Sequence, residues 1–206
     1  MKRIAVLISG SGSDLQSVID RIEAGGIAGR IELVVASKPD AFGLERAKRA
    51  GIEGKVYQKA DYPSVEAMYE EMIAEFRARN IDLVVLAGYM TILTPNMIAA
   101  FPDRILNIHP ALIPSFCGKG YYGLRVHAAA LAYGVKVSGC TVHFVNEEAD
   151  GGPIILQEAV PVLEGDTPES LQKRILEVEH RLLPDAVALF CADRLEVCGR
   201  QVRIKE

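Results

Sequence analysis

Short apolar runs alternate with segments of helical periodicity in the first half of the chain. The runs have the length of β-strands, and they are "RIAVLIS" (3–9), "IELVVAS" (31–37), "DLVVLAG" (82–88) and "RILNI" (104–108). Helical stripes separate them, formed by Leu15, Val18, Ile19 and Ile22 and by Met68, Met72, Ile73 and Phe76. Strands that alternate with helices predict a parallel sheet with helices on both faces.

The pattern changes after Gly134, where two longer β-rich segments follow each other. They are "VKVSGCTVHFV" (135–145) and "PIILQEAVPVL" (153–163), joined by the acidic turn "NEEADGG" (146–152). This arrangement predicts two antiparallel neighbours in the sheet. A last helix is expected from Thr167, because Thr-Pro-Glu-Ser supplies an N-cap followed by proline at the first helical position.

Composition narrows the classes of function. The chain has 206 residues, of which 50% are hydrophobic and 24% are charged, and it contains no internal repeat or linker. This composition is typical of one ordinary globular domain. The 23 basic and 27 acidic residues give a formal charge of −4 without a basic run, so we expect no nucleic-acid partner. The first apolar run is too short for a signal peptide or a membrane span, so no membrane partner is expected either.

Cysteine usage indicates the compartment. Cys117, Cys140, Cys191 and Cys198 form no Cys-x-x-Cys pair. We therefore expect free thiols in a reducing cytoplasm, with neither a structural zinc site nor a disulfide framework.

A glycine-rich stretch, "SGSGSDLQ" (9–16), lies between the first strand and the first helix. In this position, backbone N–H groups can approach an anion at the N-terminus of the helix. The dinucleotide-binding fingerprint fails, because Leu15 replaces its third glycine and the second strand ends in Ser37-Lys38 without an acid. The alternative is a capping box formed by Ser13 and Gln16, with no ligand, and the local sequence leaves both interpretations open.

The stretch "RILNIHPALIPSF" (104–116) brings polar groups to the end of a buried strand. Asn107 and His109 are two residues apart, so in an extended segment they face the same side, and Pro110 keeps His109 out of helical geometry. Asp150 precedes a Gly-Gly-Pro turn and could approach His109, in which case its charge would raise the imidazole pKa. Each residue also has a plain structural interpretation, as a hydrogen-bonded histidine or as turn formers.

Six motifs together resemble the phosphoribosylglycinamide formyltransferases, a family of folate-dependent enzymes. The resemblance extends from Arg3 to about Phe190, and its motifs are "AVLISGSGSDLQ", "PDAFGLERA", "VVLAGYMTILTP", "ILNIHPALIPSF", "TVHFVNEEADGGPIILQEAVPV" and "EH" at 179–180. It implies a doubly wound, mostly parallel, Rossmann-like α/β sheet with antiparallel strands towards the C-terminus. It also implies transfer of a formyl group from the co-substrate 10-formyltetrahydrofolate to the amine of glycinamide ribonucleotide in purine synthesis, without a metal.

The resemblance also implies roles for particular residues. Asn107, His109 and Asp150 would be catalytic, with Asn107 and His109 stabilising an oxyanion. The ribonucleotide would contact Gly12, Ser13, Asp14 and Glu179. The folate would contact Met90, Thr91, Ile92, Leu93, Asn107, Asn146, Glu147, Glu148 and Ala149. Residues 1–206 would form a single domain, in which 1–100 bind the nucleotide phosphate and 101–206 carry catalysis and folate binding, as a monomer or a homodimer.

The sequence departs from the family pattern at several points. Asp14 replaces a common asparagine, and arginines common near Val65 and at Thr91 are missing, which affects contacts to the phosphate and to the glutamate tail of the folate. The stretch "CGKGYYGLRVH" (117–127) is longer than usual and is either a mobile lid, with Lys119 in reach of a phosphate, or a plain surface loop.

Three rival functions are open. The formyltransferase acting on initiator methionyl-tRNA adds a C-terminal nucleic-acid-binding domain, and formyltetrahydrofolate hydrolase adds an N-terminal regulatory domain. We expect neither addition here, because the first strand begins at residue 2 or 3 and the sequence ends at 206. A nucleotide- or NADP-binding module is supported only by the glycine-rich turn and Ser37-Lys38.

Overall fold

The computed structural model describes residues 1–206, which build one nine-stranded sheet. Its strands are β1 (Lys2–Ile8), β2 (Gly29–Ala36), β3 (Gly54–Val56), β4 (Leu83–Leu86), β5 (Ile105–His109), β6 (Val137–Phe144), β7 (Ile154–Pro161), β8 (Leu195–Cys198) and β9 (Gln201–Ile204). They are ordered β3-β2-β1-β4-β5-β6-β7-β9-β8. The first five strands are parallel, and β6 pairs antiparallel with both β5 and β7. The predicted mostly parallel sheet and the antiparallel pair are confirmed.

Six α-helices cover the sheet. They are α1 (Ser13–Glu23), α2 (Gly43–Arg49), α3 (Val65–Ala78), α4 (Pro95–Ala100), α5 (Leu124–Tyr133) and α6 (Pro168–Cys191). The N-terminus of α6 is the predicted one, since the Thr167 side chain accepts from Ser170 N–H and the Ser170 side chain accepts from Thr167 N–H. Three strands were not predicted: β3, which is three residues long, and the C-terminal hairpin of β8 and β9.

The alternation of side chains along each strand separates two cores. Ile4, Val6 and Ile8 of β1 pack with α1 and α6 on one face, whereas Ala5 and Leu7 pack with α3 and α4 on the other. Alternate side chains point to opposite faces, and helices cover both faces. The buried parallel strands are therefore apolar at nearly every position. No helix combines the length and the apolar character needed to cross a membrane.

The strand order reverses at β1, which lies between β2 and β4. Because β1, β4 and β5 are parallel neighbours, the segments that follow them meet at one edge of the sheet. The reversal point of such a sheet opens a crevice at that edge. The glycine-rich loop, residues 87–94 and the Asn107–His109 pair are therefore brought together.

Candidate active site

Asn107 and His109 occupy the last residues of β5 and point to the face on which Ile105 joins the core under α3 and α4. Asn107 lies opposite His143 of β6, and its Nδ2 donates to Nε2 of His143 at 3.2 Å. The Nδ1 of His143 donates to the Phe144 carbonyl at 2.8 Å, which leaves Nε2 as the acceptor. The structure thus places the His143 ring against the side chain of Asn107.

Asp150 reaches the same face from the turn between β6 and β7. Its Oδ2 lies 3.5 Å from Nδ1 of His109, and its Oδ1 accepts from Nδ2 of Asn107 at 3.4 Å. The backbone of Asp150 is left-handed, with φ at 55°, a conformation that aspartate tolerates better than most residues. The expected convergence of Asn107, His109 and Asp150 is therefore present.

Gly152 fixes the shape of this turn. A Cβ at Gly152 would lie 1.7 Å from the Phe144 carbonyl oxygen, so only glycine fits. The close approach lets the chain return to β7 directly after Asp150. This explains the Gly-Gly-Pro sequence in terms of packing.

The segment that follows β5 makes backbone hydrogen bonds to His109 and Asp150. The Phe116 carbonyl accepts from Nε2 of His109 at 2.9 Å, and the Gly118 amide donates to Oδ2 of Asp150 at 2.8 Å. The segment is anchored by buried Thr141, whose Oγ1 donates to the Ala111 carbonyl and accepts from the Ile113 amide. These backbone contacts of residues 116–118 were missed from the sequence, because a carbonyl or an amide leaves no signature in residue type.

The stretch 117–127 is thus divided between two structures. Its first residues contact Asp150, and its last four residues begin α5. Lys119 is exposed and makes no hydrogen bond or ion pair.

The pKa values of His109 and Asp150 both lie below their ordinary values. Burial lowers the pKa of His109 by more than Asp150 and the Phe116 carbonyl raise it, so the pKa lies below its ordinary value. Burial raises the pKa of Asp150, but His143, His109 and the Gly118 amide lower it by more, so this carboxyl is more acidic than usual. Asp150 does raise the His109 pKa, as expected, but desolvation outweighs this charge.

The side chains of the glycine-rich loop do not bind the N–H groups at the start of α1. Gly12 is the N-cap of α1 with φ at 68°, and no side chain caps the helix. The capping box of Ser13 and Gln16 was therefore wrong, since Ser13 is the first helical residue and Gln16 instead donates to Asp20. The first N–H groups of α1 have no acceptor within the helix.

Behind this loop lies a buried group of ionisable side chains. Glu179 is 7% exposed, and burial followed by the charge of Asp14 raises its pKa well above the ordinary value. Burial also raises the pKa of Asp14, which His180 opposes. Oδ1 of Asp14 and Nε2 of His180 are 3.8 Å apart, and neither has a hydrogen-bond partner. The structure thus joins Gly12, Ser13, Asp14 and Glu179 in one region.

The expected folate residues lie in two segments. In the segment after β4, Met90 and Ile92 are exposed at 53% and 74%, whereas Leu93 is in the core. Thr91 lies between them, half-buried, and the Met90 amide donates to Ser9 Oγ at 2.8 Å, tying this segment to the glycine-rich loop. Asn146, Glu147, Glu148 and Ala149 are exposed on the turn before Asp150, where Asn146 accepts from the Glu148 amide.

Nowhere do three or more His, Cys, Asp or Glu side chains group to hold a metal ion.

One contact to this turn was not foreseen. Nη1 of Arg200, in the turn between β8 and β9, donates to the Gly151 carbonyl at 2.9 Å. Asn146 donates to the same oxygen at 3.3 Å. The C-terminal hairpin therefore braces the turn that holds Asp150.

Comparisons with known proteins agree with this geometry. The family profile described as "Formyl transferase" matches residues 2–187. The phosphoribosylglycinamide formyltransferase of Escherichia coli (strain K12) is 43% identical over 194 residues, covering 94% of this chain and 89% of the relative. Glycinamide ribonucleotide transformylase 1 from Symbiobacterium toebii has a TM-score of 0.95 at 51% identity, covering 100% of this chain and 95% of that chain.

A more distant structure is also similar. A formyltetrahydrofolate deformylase from Pseudomonas syringae has a TM-score of 0.88 at 26% identity, covering 100% of this chain and 66% of that chain. The doubly wound fold is confirmed by these structures, and so is the expected family. The chain belongs to the formyl transferase family.

Proposed function

We propose that this protein transfers the formyl group of 10-formyltetrahydrofolate to the amine of N1-(5-phosphoribosyl)glycinamide, a step of purine synthesis. The observation that supports this most directly is the convergence of Asn107, His109 and Asp150 at the crevice of a formyl transferase fold. The named relatives support the choice of substrates.

The chemistry requires stabilisation of an oxyanion. As the amine adds to the formyl carbon, negative charge develops on the formyl oxygen, and Asn107 and His109 act as hydrogen-bond donors to it. A donor of this kind contributes on the order of 3 kcal/mol, which is about a hundredfold in rate. The substrate's own amine is the nucleophile, so the site needs no activated serine or cysteine.

Substrate binding must rearrange the hydrogen bonds of the free site. In the free site the Asn107 amide donates to His143 and Asp150, and Nε2 of His109 donates to the Phe116 carbonyl. The formyl oxygen replaces the longer Asn107 contact, the one to Asp150. Nε2 of His109 must likewise leave the Phe116 carbonyl to donate to the formyl oxygen, and ionised Asp150, which faces Nδ1, stabilises the ring as it donates. Overall, one proton moves from the amine to N10 of the folate.

The two substrates approach from different sides. The ribonucleotide phosphate binds the free N–H groups at Gly12, Ser13 and Asp14, and Glu179 accepts from the ribose. The folate lies against exposed Met90 and Ile92, with Thr91 and Leu93 contributing backbone groups, and along residues 146–149. We assign the Asp14 contact to its backbone N–H, because its carboxylate would repel a phosphate.

Both substrates are small molecules, and we propose a cytoplasmic setting. All four cysteines are free, which matches a reducing compartment.

The assay mixes purified protein with both substrates and follows release of tetrahydrofolate. We expect turnover, and a fall of at least about a hundredfold in His109→Ala and in Asp150→Ala. Lys173→Ala, on the exposed face of α6, serves as the control with unchanged rate. Folded variants with near-normal rates would contradict the assigned roles.

The same assay separates the second candidate, hydrolysis of formyltetrahydrofolate, which the similarity to the Pseudomonas syringae deformylase favours. A hydrolase releases formate from the folate without the ribonucleotide. We expect release only when the ribonucleotide is present.

A further inference from the structure

The motif "PDAFGLERA" (39–47) contributes no residue to the proposed site, yet it packs directly on the glycine-rich loop. The Gly43 amide donates to the Gly10 carbonyl at 3.1 Å. A Cβ at Gly12 would lie 2.6 Å from Cα of Gly43, so the two backbones touch. The start of α2 therefore holds the loop from outside.

Arg46, one turn into α2, binds the loop with its side chain. Its Nε donates to the Ser11 carbonyl at 2.9 Å, and its Nη1 donates to Oε1 of Gln16 at 3.2 Å. One planar group thus joins the residue before Gly12 to the first turn of α1. Between these two contacts lie the free N–H groups proposed to bind phosphate.

The charge of Arg46 is not neutralised within the protein. Both of its hydrogen bonds go to uncharged oxygens, it forms no ion pair, and it stacks on the Phe42 ring at 5.3 Å from the centroid. Arg21, another cation nearby, is paired with Asp185 at 2.7 Å. His180 faces the carboxyl of Asp14.

The guanidinium faces a cavity at the loop. This cavity has a volume of about 460 Å³, and its lining includes Ser13, Gln16, Asp20, Arg46 and His180. A phosphate dianion bound at Ser13 would meet the carboxyl groups of Asp14, the next residue, and of Asp20, which lines the same cavity. A fixed, unpaired arginine offsets that repulsion.

We propose that Arg46 is a positioning residue for the phosphate of the substrate: it holds the glycine-rich loop in its binding shape and supplies the positive charge that the loop lacks. The inference rests on the proposed function in that the phosphorylated substrate binds at this loop. It adds a specificity determinant that distinguishes a phosphorylated ribose from an unphosphorylated one.

The kinetic test compares Arg46→Met with Arg49→Met, using the ribonucleotide and the corresponding riboside without phosphate. Arg49 also stacks on Phe42, at 5.8 Å, but makes no contact with the loop, so it is a matched control. We expect Arg46→Met to raise the KM for the ribonucleotide by about tenfold to a hundredfold, the range for a hydrogen bond to a charged group. The kcat, the KM for folate and kcat/KM for the riboside should change less than about threefold, as should all constants of Arg49→Met.

Equal losses with the ribonucleotide and the riboside would overturn the proposal, because they would indicate a general structural role. Unchanged constants would overturn it as well. If Arg46→Met fails to fold, Arg46→Lys replaces it. Lysine keeps the charge but lacks the guanidinium group that donates to both Ser11 and Gln16. We therefore expect the same selective rise in KM, smaller in size, and an unchanged KM would count against the proposal.

A binding test is independent of turnover. Calorimetric titration with ribose 5-phosphate and with ribose should reveal preference for the phosphorylated sugar in the wild type and loss of that preference in Arg46→Met. Binding with this behaviour but no formyl transfer would refute the proposed function and leave the role of Arg46 intact. Formyl transfer with the phosphate preference retained in Arg46→Met would refute only the role of Arg46, and a wild type with neither activity nor binding would refute both.

Discussion

At the scale of single residues, the site depends on how Asn107 is oriented. An asparagine amide can rotate, and the structure fixes it with a directly opposed acceptor, Nε2 of His143. That ring is held in turn by its own bond to the Phe144 carbonyl. Nε2 of His143 also lies 3.7 Å from Oδ1 of Asp150, beyond hydrogen-bond distance, so we expect His143 to act on the reaction mainly through Asn107.

His143→Leu removes the acceptor and puts an apolar side chain in the same buried position. We expect kcat to fall about fivefold, because one ordinary hydrogen bond contributes about 1 kcal/mol to the orientation of Asn107. Steady-state rates and melting curves of the variant measure this. The double variant His143→Leu with Asn107→Ala should be no slower than Asn107→Ala alone; a further loss would contradict action through Asn107.

The burial of Glu179 makes the stability of the fold depend on pH. Because burial raises its pKa above 4.5, the folded state keeps a proton that the unfolded chain releases as pH rises through the ordinary value. The free energy of unfolding therefore falls with rising pH until the folded pKa is reached. Glu179→Gln removes this dependence, since glutamine cannot ionise.

We expect Glu179→Gln to be more stable than the wild type at about pH 8 and similar at about pH 4. One pKa unit corresponds to about 1.4 kcal/mol, and about 1 kcal/mol shifts the melting temperature of a domain this size by roughly 2–4 °C. Glu177→Gln, an exposed position on the same helix, is the control for melting curves across pH. A variant that melts below the wild type at every pH would show that the carboxylate stabilises the fold.

Residue types revealed only part of the site. Asn107, His109 and Asp150 could be named because their side chains follow a buried strand or precede a Gly-Gly turn. The Phe116 carbonyl and the Gly118 amide could not, because their position depends on the path of the loop. The net shift of the His109 pKa could not be predicted for a related reason, since burial is a property of the folded chain.

At the scale of secondary structure, length decided what the sequence could predict. The long parallel strands and α3 have enough apolar positions for their period to be clear, and α6 also has a cap signal at Thr167. Strand β3 has only three residues, which no periodicity can identify. The C-terminal hairpin does have a signal in the sequence, the alternating "LEVCGRQVRI" around a Gly-Arg turn.

The missed hairpin leads to a test of its own. Arg200→Met removes the donor to the Gly151 carbonyl and should loosen the turn of residues 146–151. We expect the KM for 10-formyltetrahydrofolate to rise by about threefold to tenfold, the effect of one hydrogen bond, with the KM for the ribonucleotide unchanged. Arg203→Met, exposed on β9, is the control in the same kinetics. Equal changes in both KM values would contradict a local effect on the folate side.

At the scale of the whole molecule, the two predicted halves share one sheet. Val84 of β4 pairs with Ile105 of β5 across the division at residue 100, and α6 from the second half packs on α1 from the first. Under the proposed function, each substrate would also contact both halves, the ribonucleotide through Gly12 and Glu179 and the folate through Met90 and Asn146. We therefore expect the two halves to unfold together.

Thermal unfolding with and without the ribonucleotide tests this cooperativity. A ligand at about one hundred times its Kd stabilises the folded state by about 2.7 kcal/mol, which is roughly 5–10 °C in a domain this size. Far-UV circular dichroism and the near-UV signal of the tyrosines, which lie in both halves, should shift together in one transition. Hydrogen exchange of β1 and β6 should slow by the same factor, because opening either strand requires opening the shared sheet. Protection confined to β1, or a second transition, would mean that the halves unfold separately and that the ribonucleotide stabilises only the one that holds its phosphate.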